Sequence, residues 1–132
     1  MLRRSRTQLL LKVSWMKNKF KLDPYNTWVY LHIKKEDFDK AANCTCGPWC
    51  NGAVSRRDDG NLDLFIPVEE DGYFSIPTVA HEAFHIADFI ADKVGLEYTH
   101  GTCNEHIAYL IGSAVKHILQ QLEKVVKNGR ST

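Results

Sequence analysis

An α+β fold is predicted by two strand-like stretches and two helical ones, which differ in the period of their apolar residues. Thr27 to Ile33 and Asn61 to Val68 are rich in β-branched and aromatic or alternating apolar residues. Val29, Leu31 and Ile33 fall on one face of the first stretch, and Leu62, Leu64 and Ile66 on one face of the second. The segment from about Cys103 to Lys127 instead repeats at helical spacing, through Ile107, Leu110, Ile111, Ala114, Val115, Ile118, Leu122 and Val125. Ala80 to Ile90 is apolar on most sides, as in a buried helix.

The remaining elements follow along the chain. Leu9, Val13, Met16 and Phe20 recur at helical spacing, predicting an amphipathic N-terminal helix near residues 7–20. Asp23-Pro24-Tyr25-Asn26 is a turn ahead of the first strand. Glu36 to Ala42 suits a short helix, and a cysteine-rich loop with Gly47-Pro48 and Asn51-Gly52 comes after it. Ala53 to Arg57 and Asn61 to Val68 pair as a hairpin across Asp58-Asp59-Gly60, with Pro67 suiting an edge. Val94-Gly95 ends the Ala80 helix, and Asn128-Gly129 ends the last one.

The chain has 132 residues, 44% of them apolar, and a net charge of +1. That is enough for one domain, 1–132, with a real core. No acidic or basic excess points to nucleic acid. Met1-Leu2-Arg3-Arg4-Ser5-Arg6 precedes Leu9-Leu10-Leu11, but Lys12 interrupts the apolar run and no small-residue cleavage site follows, so a signal peptide is not expected. No segment is long enough to span a membrane, and a cytoplasmic location is expected. Three readings of Cys44, Cys46, Cys50 and Cys103 stand side by side: free thiols, a second and structural metal site, or disulfides.

His81-Glu82-Ala83-Phe84-His85 carries the chemistry. On a helix, residues i and i+4 share a face, so both imidazoles can reach one metal ion. Glu82 lies about 100° further round, where it can address a water without ligating. A third protein ligand is then needed, with a fourth position left open. The metzincin pattern fails, because Asp88 and Ala91 stand where its glycine and third histidine belong. Glu105, in Asn104-Glu105-His106-Ile107-Ala108-Tyr109, can be brought beside the histidines by a second helix running back past the first. A competing reading makes Glu105 the closing residue of a capping box begun by Thr102. Asp88 and Asp92 continue the histidine stripe, either anchoring imidazoles or solvated, with solvation favoured for Asp92.

The stretch from Ala80 to Gly112 resembles the gluzincin metallopeptidases, above all the thermolysin-like group. It shares H-E-x-x-H, the nineteen-residue spacer before the glutamate, and the G-x-x-N-E run from Gly101 to Glu105. The resemblance implies a zincin-like fold, in which a small twisted sheet packs on the N-terminal helix, the H-E-x-x-H helix and the long C-terminal helix. It implies His81, His85 and Glu105 as ligands of one catalytic Zn2+, with Glu82 as general base. It also implies an edge strand above the metal helix that hydrogen-bonds an extended peptide, and the predicted hairpin is the candidate. Two departures stand out. Tyr109 occupies the place of an acidic residue that orients a ligand histidine, and only 27 residues follow Glu105, so no large C-terminal domain supplies an oxyanion-binding histidine. The chain therefore looks like a minimal single-domain form, a kind found in bacteria and their phages.

The expected reaction is hydrolysis of peptide bonds in a peptide or protein substrate. Glu82 takes the proton of a water held at the metal and returns it to the leaving amine. Tyr73 and His106 rank first as hydrogen-bond donors to the developing oxyanion, ahead of His100 and Tyr109. His117 is too far along its helix, about 18 Å from Glu105, and His32 either lines the cleft or is solvated. Alternative functions are a non-catalytic zinc-binding interaction module, a zinc hydrolase of another amide or ester, and a metal-free helical interaction protein.

Overall fold

The computed structural model describes residues 18–43, 45, 47, 50–101 and 104–130. Its elements are β1 (Lys19–Leu22), β2 (Thr27–His32), α1 (Lys35–Ala42), β3 (Ala53–Arg56), β4 (Leu62–Phe65), α2 (Ile76–Val94) and α3 (Glu105–Arg130). The fold is a mixed α+β arrangement of a four-stranded sheet and three helices, with sheet order β1-β2-β4-β3.

Lys19-Phe20-Lys21-Leu22 alternates polar and apolar residues, and folds back on β2 across the Asp23–Asn26 turn, with Phe20 beside Val29. The predicted N-terminal helix is therefore corrected at its end: Phe20 belongs to a strand, while residues 7–17 lie outside the described residues. Local helical spacing lost there to cross-strand pairing, which a 3.6-residue pattern does not detect. The predicted hairpin forms, with β3 antiparallel to β4 and Arg57 N–H donating to the Asn61 carbonyl across the turn. Its edge assignment reverses, however. β4 is a central strand, parallel to β2, and ends before Pro67, whereas β3 is the edge.

The main core lies between the sheet and the pair α2 and α3. Val29, Leu31, Leu62 and Leu64 meet Ala83, Ile86 and Ile90 of α2 and Leu110, Ala114 and Ile118 of α3. α2 begins where Ser75 accepts the Thr78 N–H on its hydroxyl, with Pro77 in the first turn, where a missing N–H costs nothing. It ends at Gly95, whose φ of +74° lets the Gly95 and Leu96 N–H groups close on Asp92 and Ala91. α3 runs back antiparallel, since Gly72, ahead of α2, meets Val126 near the end of α3. The predicted stop at Asn128-Gly129 does not occur, as α3 continues to Arg130.

α1 covers the opposite face of the sheet with Phe38, which packs on His32 and Phe65. That face also buries charge. Asp63 accepts two hydrogen bonds from the Arg57 guanidinium, each 2.8 Å, and one from His32 Nε2, also 2.8 Å. The Arg57 guanidinium lies 4.1 Å from the centre of the Tyr30 ring. Among the described residues, no helix is long and apolar enough to cross a membrane.

Candidate metal centre

α2 sorts the motif onto two faces. His81, Phe84, His85 and Asp88 are exposed, whereas Glu82 sits on the buried side with Val79, Ala83 and Ile86. The expectation of a buried helix, apolar on most sides, is thus met on one side only. Only its sheet-facing side is buried, because α3 and the sheet cover one flank and leave the histidine stripe open.

The His81 and His85 Nε2 atoms are 3.3 Å apart, their rings meeting edge to face. Two bare lone pairs repel at that separation. A shared proton relieves the repulsion, and so does a cation. Tetrahedral zinc with Zn–N bonds of about 2.0–2.1 Å requires an N···N edge of about 3.3–3.4 Å, which the pair matches. Glu82 lies alongside, its Oε1 3.9 Å from His81 Nε2. Glu82 is 4% exposed and its Oε2 has no hydrogen-bond partner, a costly state for a buried carboxyl oxygen. Burial pushes the Glu82 carboxyl above its ordinary pKa, and attraction to His81 and His85 offsets part of that rise.

Edge strand β3 forms the wall over Glu82. A Cβ on Gly52, just ahead of β3, would stand 2.8 Å from Thr78 Cγ2 and 3.1 Å from Glu82 Oε1. The far end of β3 is tied to the same helix by Arg56, 2.7 Å from Asp92 and stacked over Phe89. Asp92 is therefore paired as well as exposed. Replacing Gly52 with alanine should force the strand from the helix and cost about 1–3 kcal/mol. A fall in melting temperature checks this, and Thr78→Ser, which removes the nearer contact, should recover part of the loss.

Glu105 is the first residue of α3, exposed, and lines a cavity of about 480 Å³ with Leu22, Pro24, Tyr25, His106 and Tyr109. Among the described residues no group of three or more His, Cys, Asp or Glu side chains converges to hold a metal, so Glu105 is not gathered with the two imidazoles. Thr102, the other half of the capping-box reading, lies outside the described residues. The Ala108 N–H closes on the Asn104 carbonyl, which puts Glu105 at the first helical position and not the third.

His106 turns towards the β1–β2 turn, where its Nε2 is hydrogen-bonded to the Tyr25 hydroxyl. Tyr73 is 64% exposed in the loop before α2, and its backbone N–H donates to Asp71. Tyr109 is 74% exposed. His100 is exposed in the α2–α3 loop. His117 stacks on Phe20 of β1 with ring centres 5.4 Å apart. His32 is neither solvated nor in a cleft, being buried against Phe38 and Asp63. Cys50 is disulfide-bonded, and a disulfide sulfur is not a thiolate ligand; Cys44, Cys46 and Cys103 lie outside the described residues.

Sequence reasoning passed over three residues at this centre. Gly52 reads as turn punctuation until β3 is seen to cross Glu82, and Ser75 ahead of Ile76-Pro77 is a cap signal that marks the start of α2. The third is Tyr98. Its hydroxyl donates to Asp88 Oδ1 at 3.0 Å, three residues beyond His85 on the exposed stripe, and that bond raises the phenol pKa. Compared with protein-family models, curated proteins and solved structures, the chain matches none.

Proposed function

We propose that this chain is a zinc-dependent peptidase of the gluzincin kind, with His81 and His85 as ligands, Glu105 as the third, and Glu82 as general base. The observation that carries this reading is the imidazole pair set at the edge length of a zinc tetrahedron beside a buried carboxylate with an unpartnered oxygen. A surface histidine pair has no need of such a neighbour, and a core glutamate without a partner is expensive unless it serves chemistry. Bound there, zinc would act as a Lewis acid towards carbonyl and water oxygens and would make the water a stronger acid.

Glu82 is suited to the proton transfers. Its raised pKa brings the carboxyl nearer to neutral pH, so it can accept a proton from water and pass it to a leaving amine. The wall made by Gly52 and β3 keeps bulk water from one side of that carboxylate and strengthens its interactions. β3 is the last strand of the sheet. An extended peptide added to its rim would lie along the helix that bears Glu82, held through main-chain groups.

A second reading, a metal-binding module without catalysis, is favoured by one observation: Glu105 stands apart from the imidazoles, in the cavity beside Tyr25. Elemental analysis of the native chain and of His85→Ala, with a peptide-library cleavage assay, separates the two. One zinc per chain, lost in His85→Ala, with cleavage that stops on chelation and returns with zinc, supports the peptidase. Zinc without cleavage supports the module. Zinc retained by His85→Ala sinks both.

A further inference from the structure

The cavity beside Glu105 is bounded by two elements. One side is a face of α3, where Glu105, Tyr109 and Ser113 recur every four residues. The other is the turn that joins β1 to β2, from Leu22 to Tyr25. Its volume of about 480 Å³ suits a small ligand or one long side chain. We propose that this cavity binds an organic cation of the arginine side-chain type, a guanidinium on an aliphatic stem, with Glu105 as counter-ion and Tyr25 and Tyr109 as aromatic walls. Glu105 cannot occupy the cavity and coordinate a metal at once, so the inference concerns the metal-free chain and does not rest on the zinc reading.

The lining selects by charge. Its described residues include two carboxylates, Asp23 and Glu105, and no lysine or arginine. Lys21 lies 3.6 Å from Asp23 and offsets part of that charge, whereas Glu105 makes no hydrogen bond or ion pair with another described residue. The start of α3 carries about half a positive charge, which the full charge of Glu105 outweighs. The lining also selects by shape. Leu22 and Leu110, both buried, give an apolar floor for an aliphatic stem. Tyr25 is held in place by the bond from its hydroxyl to His106, and Tyr109 is exposed on the opposite side. Between such rings a planar guanidinium stacks while its N–H fork meets a carboxylate. The chain already uses that combination elsewhere, where Arg57 lies 4.1 Å from the centre of the Tyr30 ring and forks onto Asp63.

The test is titration of the full chain, in the presence of chelator, with the acetylated amide of arginine. Binding should be saturable, and the citrulline analogue, which keeps the shape and lacks the charge, should bind more weakly. Glu105→Gln should weaken arginine binding about fivefold, the upper worth of a partly exposed ion pair. Tyr109→Ala should weaken it about two- to fivefold, and Tyr109→Phe, which keeps the ring, should restore it. Both side chains are exposed, so neither change disturbs the core. Agmatine separates the sources of the cation: equal or tighter binding than the arginine amide points to a free guanidine, and weaker binding to an arginine within a peptide. No saturable binding, equal affinity for the citrulline analogue, or native affinity in Glu105→Gln overturns the proposal. So does loss of binding in His81→Ala, which would place the probe at the imidazoles. Each of those failures leaves the zinc reading standing, because that reading is decided by metal content in His85→Ala.

Discussion

Glu82→Gln should retain zinc and lose hydrolysis, with kcat falling about 10²–10⁴-fold, the usual worth of a positioned general base. The isostere keeps the size of the side chain against Thr78 and Gly52, so packing is preserved while proton acceptance is not. Measured together, zinc stoichiometry and turnover check both halves. Full turnover in the variant would remove Glu82 from the mechanism. The same substitution has a stability signature in chelator-treated protein. Burial raises the folded-state pKa of Glu82. Below the ordinary carboxyl pKa of about 4 the acid is neutral in both states and contributes nothing. As pH rises above that value, the unfolded chain ionises first and the folded state is penalised. Glu82→Gln should therefore raise the melting temperature at pH 7 and leave it nearly unchanged at pH 4.

Asp63→Ala should have the largest effect on folding. Asp63 is fully buried and holds together Arg57 and His32 on the α1 side of the sheet. Removing it leaves a guanidinium without its fork partner and a buried imidazole without its acceptor, a loss of about 3–5 kcal/mol. Domains of this size are stable by about 5–15 kcal/mol, so chemical denaturation should find the variant marginal. A loss under 1 kcal/mol would show that the triad does not hold β2 and β4 together. The pH dependence is opposite in sign to that of Glu82. Burial alone would push the Asp63 carboxyl up, but the hydrogen bonds from Arg57 and His32 outweigh it and hold the pKa below its ordinary value. The stability it provides is complete above the ordinary carboxyl pKa of about 4 and is lost as pH falls through the depressed one. Acid unfolding of the native protein should thus include this step, and Asp63→Ala should lack it.

Much of the architecture was legible in the residues. The β3–β4 hairpin, β2, α1 and the Gly95 stop all follow from turn chemistry and periodicity, which are local. What was illegible depends on contacts distant in sequence. Phe20 fits a helical repeat as well as a strand, and only pairing with Val29 decides between them. Leu62-Asp63-Leu64 shows a charge inside an apolar strand, but nothing local says that Arg57 and His32 meet it. At the candidate centre, four-residue spacing accounts for the His81–His85 pair because a single helix carries both. Glu105 lies on another helix, beyond a loop, and spacing alone could not decide where its carboxylate rests.

The parallel pairing of β2 with β4 has a consequence for how the chain acquires its shape. Arg56 and Leu62 are neighbours across a tight turn, whereas Val29 and Leu62 are partners 33 residues apart (62 − 29). Closing the longer loop costs about 1.5 kcal/mol more in chain entropy, and non-local pairing of this kind slows folding. The hairpin over Glu82 is then expected to assemble before β2 and β4 pair. Until β2 arrives, the inner rim of β4 is bare. A chain delayed at that stage presents an unpaired edge to its neighbours in a crowded solution, so self-association during synthesis threatens the middle of the sheet and not the side that carries the histidine pair.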